Sequence, residues 1–195
     1  MGITVNVIKP SGTFHVDCRV DADFAGLWKV ENDQDPVSVK SMSGHLITFM
    51  GCPLLWSSKM QTQIALSTME AEYIALSNSM RDLIGIREIL KEIVQTVFQD
   101  TSTKPTYATI AKTFGSIPPS TVYEDNEACL KFARMPKMNP RTKHIALPYH
   151  FFRSKVEQLE IKIESINTEN QLADQFTKGL PQDKFLRDRK KLMGW

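Results

Sequence analysis

The chain predicts an α/β fold: a mixed sheet flanked by helices, made of an antiparallel meander of about three strands and two further strands. Two observations carry this. The first third alternates short apolar runs with turn residues, and the remainder alternates helical patterns with single strand-like runs. Composition agrees with one ordinary globular unit: of 195 residues, 42% are hydrophobic and 24% charged, and no apolar run approaches the roughly 20 residues that span a bilayer.

The first strand is FHVDCRV, where Phe14, Val16, Cys18 and Val20 alternate with polar residues. A polar, turn-rich stretch follows (KVENDQDPVSVKSMSG), and then HLITFM, PLLWSS and QIALS, apolar runs parted by Gly-Cys-Pro and KMQT, which suit a strand meander. A long helix is expected from Ser67 to about 97–99. Ser67 and Glu70 form a capping box, and Tyr73, Leu76, Met80, Leu83, Arg87 (through its stem), Leu90 and Val94 recur at helical spacing. Residues of about 100–119 hold three prolines without periodicity and read as a surface insertion. STVYE reads as a strand, DNEACLKFAR as a helix start, HIALPYHFFRSKVEQL as a helix and EIKIESIN as a strand. Thr168 and Gln171 suggest a second capping box opening a helix over ENQLADQFTK, closed by Gly179. PQDKFLRDRKKLM makes a last, basic helix.

Net charge is only +2, so the global balance does not announce a polyanion partner. Two segments are locally basic. RMPKMNPRTKH groups Arg134, Lys137, Arg141, Lys143 and His144, and the C-terminus adds Lys184, Arg187, Arg189, Lys190 and Lys191. Such segments suit phosphate contacts, or simply solvated surface. Cys18, Cys52 and Cys129 form neither a zinc pattern nor a disulfide framework. The N-terminal MGITVNVIKPSG lacks the features of a signal peptide, so an intracellular protein is expected.

Most of the 22 acids must be surface charge. Glu72 departs from that role: Glu70 serves the cap, whereas Glu72 lies within the mostly apolar EAEYIAL. Asp125 closes a strand and opens a helix, a position where ligands gather in α/β sheets and where Asp also caps helices. Asp174 in LADQF stands at the edge of an apolar face. Asp17, Asp21 and Asp23 share one face of the first strand, and alternation does not choose among them. Gathered carboxylates repel one another unless cations neutralise them, which hard divalent ions do.

Read as strings, VDADFAG, LLWSSKMQTQIALSTMEAEYIALS, YEDNEACLKFA, RTKHIALPYHFFRSKV and ENQLADQFTKGLP resemble, in order, the ribonuclease H region at the end of copia-type retrotransposon Pol polyproteins. The resemblance runs from about residue 14 to the C-terminus and skips only 100–119. It implies a ribonuclease H-like domain over 14–180, a remnant of a polymerase linker over 1–13, and a basic C-terminal helix over 181–195. It also implies a four-acid site of Asp21, Glu72, Asp125 and Asp174 that binds two Mg²⁺ or Mn²⁺ ions, and so selects Asp21 from its three candidates. The implied activity is cleavage of the RNA strand of an RNA–DNA hybrid, leaving 3′-hydroxyl and 5′-phosphate ends, with Arg134, Lys137, Arg141 and Lys143 on the nucleic-acid backbone. The implied partner is the reverse transcriptase module of the same polyprotein; the implied setting is a cytoplasmic virus-like particle or the nucleus. No YxDD polymerase motif occurs in the chain. Met42 and His45 depart from the arginine and aromatic residue common in the family, and His144 and His150 match no motif. The competing readings are a catalytically inactive or domesticated nucleic-acid-binding module, and a transposase or integrase with a related sheet.

Overall fold

The computed structural model describes residues 15–29, 31, 34–99, 117–135 and 150–194. Three strands form the antiparallel half of a five-stranded sheet: β1 (Val16–Asp23), β2 (Met42–Phe49) and β3 (Cys52–Met60). Strands β2 and β3 are joined through Met50 and Gly51. Both have positive φ (51° and 82°), the conformation whose twist suits a two-residue hairpin. Pro53 is tolerated because β3 is the sheet edge. The other half is parallel: β4 (Ser120–Glu124) pairs with β1, and β5 (Ile161–Ser165) with β4, giving the order β3-β2-β1-β4-β5. A parallel neighbour requires a crossover, and helix α1 (Thr68–Gln99) supplies it.

Helix α1 starts where the capping box predicts. The Glu70 amide donates to Ser67 Oγ at 3.2 Å, and Glu70 Oε2 accepts the Leu66 amide at 2.9 Å. Its buried side chains Tyr73, Leu76, Met80 and Leu83 pack on Val16, Cys18, Val20, Ile47 and Val122 of the sheet. The Tyr73 ring also meets Phe132 edge-on at 4.7 Å and Phe152 at 6.1 Å. Phe132 lies in α2 (Glu127–Arg134) and Phe152 in a 3-10 turn (His150–Phe152) that leads into the short α3 (Arg153–Glu157).

Two expectations need correction, and two fall partly outside the described residues. QIALS is not a strand; it runs irregularly from β3 to the α1 cap, with Ile64 and Leu66 exposed. The helix expected over ENQLADQFTK is instead two 3-10 turns, Thr168–Asn170 and Leu172–Phe176, capped by Asn167 and Gln171 rather than Thr168. Those two caps bond forward to Glu169 N and Ala173 N, and the second interrupts any continuous helix. The helix expected over HIALPYHFFRSKVEQL covers only His150–Glu157 among the described residues, because 144–149 lie outside them. The insertion at about 100–119 lies outside them as well, except for 117–119. The last helix, α4 (Gln182–Met193), forms as expected.

The Leu172–Phe176 turn covers the sheet face opposite α1. Gln171 is fully buried and donates Nε2 to Val20 O at 2.8 Å, and Gly44 of β2 admits the turn's backbone. A Cβ at Gly44 would lie 2.7 Å from Thr177 Cγ2, 2.8 Å from Phe176 Cβ and 3.2 Å from Ala173 O. Gly44→Ala is therefore expected to destabilise the chain by about 2 kcal/mol through overpacking, read from urea unfolding. An unchanged midpoint would show that the turn is not seated on β2.

Candidate active site

Parallel pairing sets Asp17 beside Thr121, Cys18 beside Val122 and Arg19 beside Tyr123, so the same register continued brings Asp125 level with Asp21. Both acids thus stand at the carboxyl ends of the central strands, where α/β sheets place their sites. Glu72 comes from the second turn of α1, and Ala22 N–H of β1 donates to its carboxylate. Oxygens of Asp21, Glu72 and Asp125 all lie within 4.8 Å of one another. Asn126 caps α2 by accepting the Cys129 amide at 2.9 Å, which frees Asp125 from that role. Asp17 turns elsewhere, 3.4 Å from His15 Nε2, and Asp23 lies against the Gly26 turn.

Electrostatics show what this proximity costs. Burial, together with the charges of Glu124, Asp21 and Asp125, pushes the Glu72 carboxyl up to about 11. Burial likewise raises Asp21 to about 6, against the pull of the Thr177 hydroxyl and the Lys178 ammonium. Glu72 Oε2 is buried with no hydrogen-bond partner. Buried, mutually repelling oxygen donors are the chemistry of a divalent-cation site. Oxygens sharing one Mg²⁺ at about 2.1 Å lie at most ~4.2 Å apart, so a spacing within 4.8 Å needs only small side-chain adjustments. The three acids fit one hard divalent ion.

Asp174 is placed differently. It is buried beside Asp21 but outside this cluster, and two cations hold it: Lys184 Nζ at 2.5 Å from Oδ2 and Lys178 Nζ at 3.0 Å from Oδ1. Lys178 also stands 3.7 Å from Asp21 Oδ2. The Thr177 hydroxyl donates to Asp21 and lies 3.0 Å from the Asp174 carbonyl.

Two residues near the site went unread in the sequence. Glu124 is fully buried behind the triad, accepts the Asn126 amide at 3.0 Å, and is pushed well above the carboxylate range by burial. Its signal was available, since the alternation of STVYE puts Ser120, Val122 and Glu124 on one buried face. Lys178 lies four residues after Asp174, a spacing that brings side chains together when the chain coils.

Of the basic residues, Arg134 ends α2 and donates Nη2 to Ile163 O at 2.6 Å; Lys137, Arg141 and Lys143 lie outside the described residues. His45 is buried and pairs with Asp82 at 3.0 Å, in a polar cleft of about 340 Å³ lined also by Gln61, Lys59 and Arg81. No helix among the described residues is long and apolar enough to cross a membrane.

A five-stranded mixed sheet in this order, with helices on its faces, is the ribonuclease H fold. A ribonuclease H1 isolated from compost, LC11, matches it with a TM-score of 0.50 over 84% of this chain and 92% of its own, at 17% identity. By sequence, the chain's homologues are retrovirus-related Pol polyproteins from copia-type transposons. It is 32% identical over 165 residues to that of transposon TNT 1-94 from Nicotiana tabacum, covering 85% of this chain and 10% of the relative. It is 29% identical over 185 residues to that of transposon RE2 from Arabidopsis thaliana, covering 95% and 11%. The chain thus spans about a tenth of the length of the curated relatives it matches. No protein-family model matches it.

Proposed function

We propose that this chain is a divalent-metal-dependent endonuclease that hydrolyses the RNA strand of RNA–DNA hybrids, acting with a reverse transcriptase module during retrotransposon replication. The observation that carries the proposal is the convergence of Asp21, Glu72 and Asp125 from three separate elements at the carboxyl ends of the central strands. A bound Mg²⁺ or Mn²⁺ would supply Lewis-acid stabilisation of phosphodiester hydrolysis. The protein's part is to hold and orient. Asp21 and Asp125 present oxygens from a rigid sheet, and Glu72 presents one from a helix locked onto that sheet by Tyr73 and Leu76. Asp174 serves through its charge beside Asp21. Selection of a hybrid would rest on groove shape and 2′-hydroxyl contacts. Arg134, Lys137, Arg141 and Lys143 are proposed to meet backbone phosphates, making binding salt-sensitive.

Cleavage of a labelled RNA–DNA hybrid, beside RNA and DNA duplexes of the same sequence, tests the reading. Metal-dependent products from the hybrid alone, ending in 3′-hydroxyl and 5′-phosphate, are expected. Hybrid binding without cleavage at any Mn²⁺ concentration would instead identify a nucleic-acid-binding relic, and joining of DNA ends would identify a transposase.

A further inference from the structure

We propose that Lys178, backed by Lys184, is the site's built-in second cation, so that the acid cluster takes one divalent ion per chain rather than two. The inference rests on the metal-dependent reading above and concerns how the protein completes that site.

The geometry carries it. A second ion that drew on the fourth predicted acid, Asp174, would approach it on the side facing Asp21, and the Lys178 ammonium stands there already, 3.7 Å from Asp21 Oδ2 and 3.0 Å from Asp174 Oδ1. The remaining Asp174 oxygen is taken by Lys184 at 2.5 Å, and Lys184 is anchored in turn on Thr168 O at 3.0 Å. Asp174 therefore offers one negative charge to two ammonium groups, while its own side chain is only 1% exposed. The three remaining acids form the one group of potential metal ligands among the described residues, and Asp174 is not in it.

Chemistry points the same way. A divalent ion brought within a few ångströms of two ammonium groups meets repulsion, which is stronger on the side of Lys184, 14% exposed, than on that of Lys178, 38% exposed. One fixed monovalent charge beside Asp21 still leaves Asp21, Glu72 and Asp125 to balance a single divalent ion. The origin of the two lysines is also telling. Lys178 follows the Leu172–Phe176 turn and Lys184 comes from α4, so two separate segments deliver charge to one buried carboxylate. A lysine ammonium positioned in this way can stabilise negative charge that develops near Asp21 without being a metal ligand.

Mn²⁺ binding to the full chain, measured by calorimetry and by the resonance signal of free Mn²⁺, tests this without reference to activity. The expected stoichiometry is one ion per chain, lost in Asp21→Asn and unchanged in Asp174→Asn. Lys178→Met is expected to bind the single ion about tenfold more tightly, because a like charge near Asp21 is gone, and Lys178→Arg to match the parent chain. Two ions in the parent chain, falling to one in Asp174→Asn, would overturn the lysine assignment and leave the metal-dependent reading standing, as would an unaltered affinity in Lys178→Met. No binding at all would remove both. Should Lys178→Met fail to fold, the Asp174→Asn comparison still decides.

Discussion

Asp21→Asn is expected to lower hybrid cleavage by at least about a thousandfold, some 4 kcal/mol of barrier, while the chain stays folded. The substitution preserves shape and keeps an oxygen able to accept from Thr177. What it removes is a charge at the centre of the only potential metal-ligand group among the described residues. Asp21 is 2% exposed and already raised to about 6, so an amide in its place relieves a buried charge rather than disturbing the packing. Loss of activity with an equal or higher melting temperature in chelator is thus the expected pair of results. Glu70→Ala, two residues from Glu72, is the control. Glu70 accepts the Leu66 amide at the start of α1, and its loss should cost about 1 kcal/mol of stability with little change in cleavage per folded molecule. If Asp21→Asn still cut the hybrid in Mg²⁺, the site would lie elsewhere.

How much of this was legible in the sequence depends on whether the signal was local. The capping box fixed the start of α1, and with it the separation of Glu70 from Glu72, since that motif reports hydrogen bonds made within four residues. Strand alternation found β1 and β5 for the same reason. It did not distinguish Asp17, Asp21 and Asp23, because all three share a face; what separates them is the parallel partner β4 and the Leu172–Phe176 turn, both over a hundred residues away. Resemblance supplied that choice. The same non-locality hid the state of Asp174, whose neighbour Lys184 belongs to the last helix. The 3-10 turns were misread as a helix because Thr168 and Gln171 have the spacing of a cap, while Gln171 spends its amide on Val20 O across the sheet. Glu124 is turned inward by the alternation of STVYE, but a strand this short gives no local sign of which face is covered; that depends on α1 and α2.

The carboxylate cluster should also make the metal-free chain less stable as pH rises through the neutral range. A carboxyl whose folded pKa exceeds its ordinary value holds its proton more tightly in the folded state. Its contribution is therefore fully present below the ordinary value and is lost as pH climbs toward the folded one. For Asp21 the loss falls between about 3.8 and 6; for Glu72 it begins near 4.5 and continues to about 11. Buried His45 works in the opposite direction, since burial lowers its pKa, but only below its ordinary 6.5. Glu160, held down to about 2 by the hydrogen bonds of Lys155 and Lys91, acts only in acid. Burial raises the Cys18 thiol from 9.0 to about 12, so it enters only above 9. Between pH 6.5 and 8.5 the buried carboxyls are left, Glu72 and Glu124. One proton over two pH units is worth about 3 kcal/mol, or a fall of roughly 6–12 °C in Tm for a chain of this size. Thermal melts in chelator should show that fall, and saturating Mg²⁺ should flatten it by neutralising the charge as it forms. Glu72→Gln should lessen it without metal, leaving the part that comes from Glu124. A melting temperature that stays level in chelator across this range would mean that Glu72 is ionised there already, and that the repulsion drawing a cation to the site is far weaker than its burial implies.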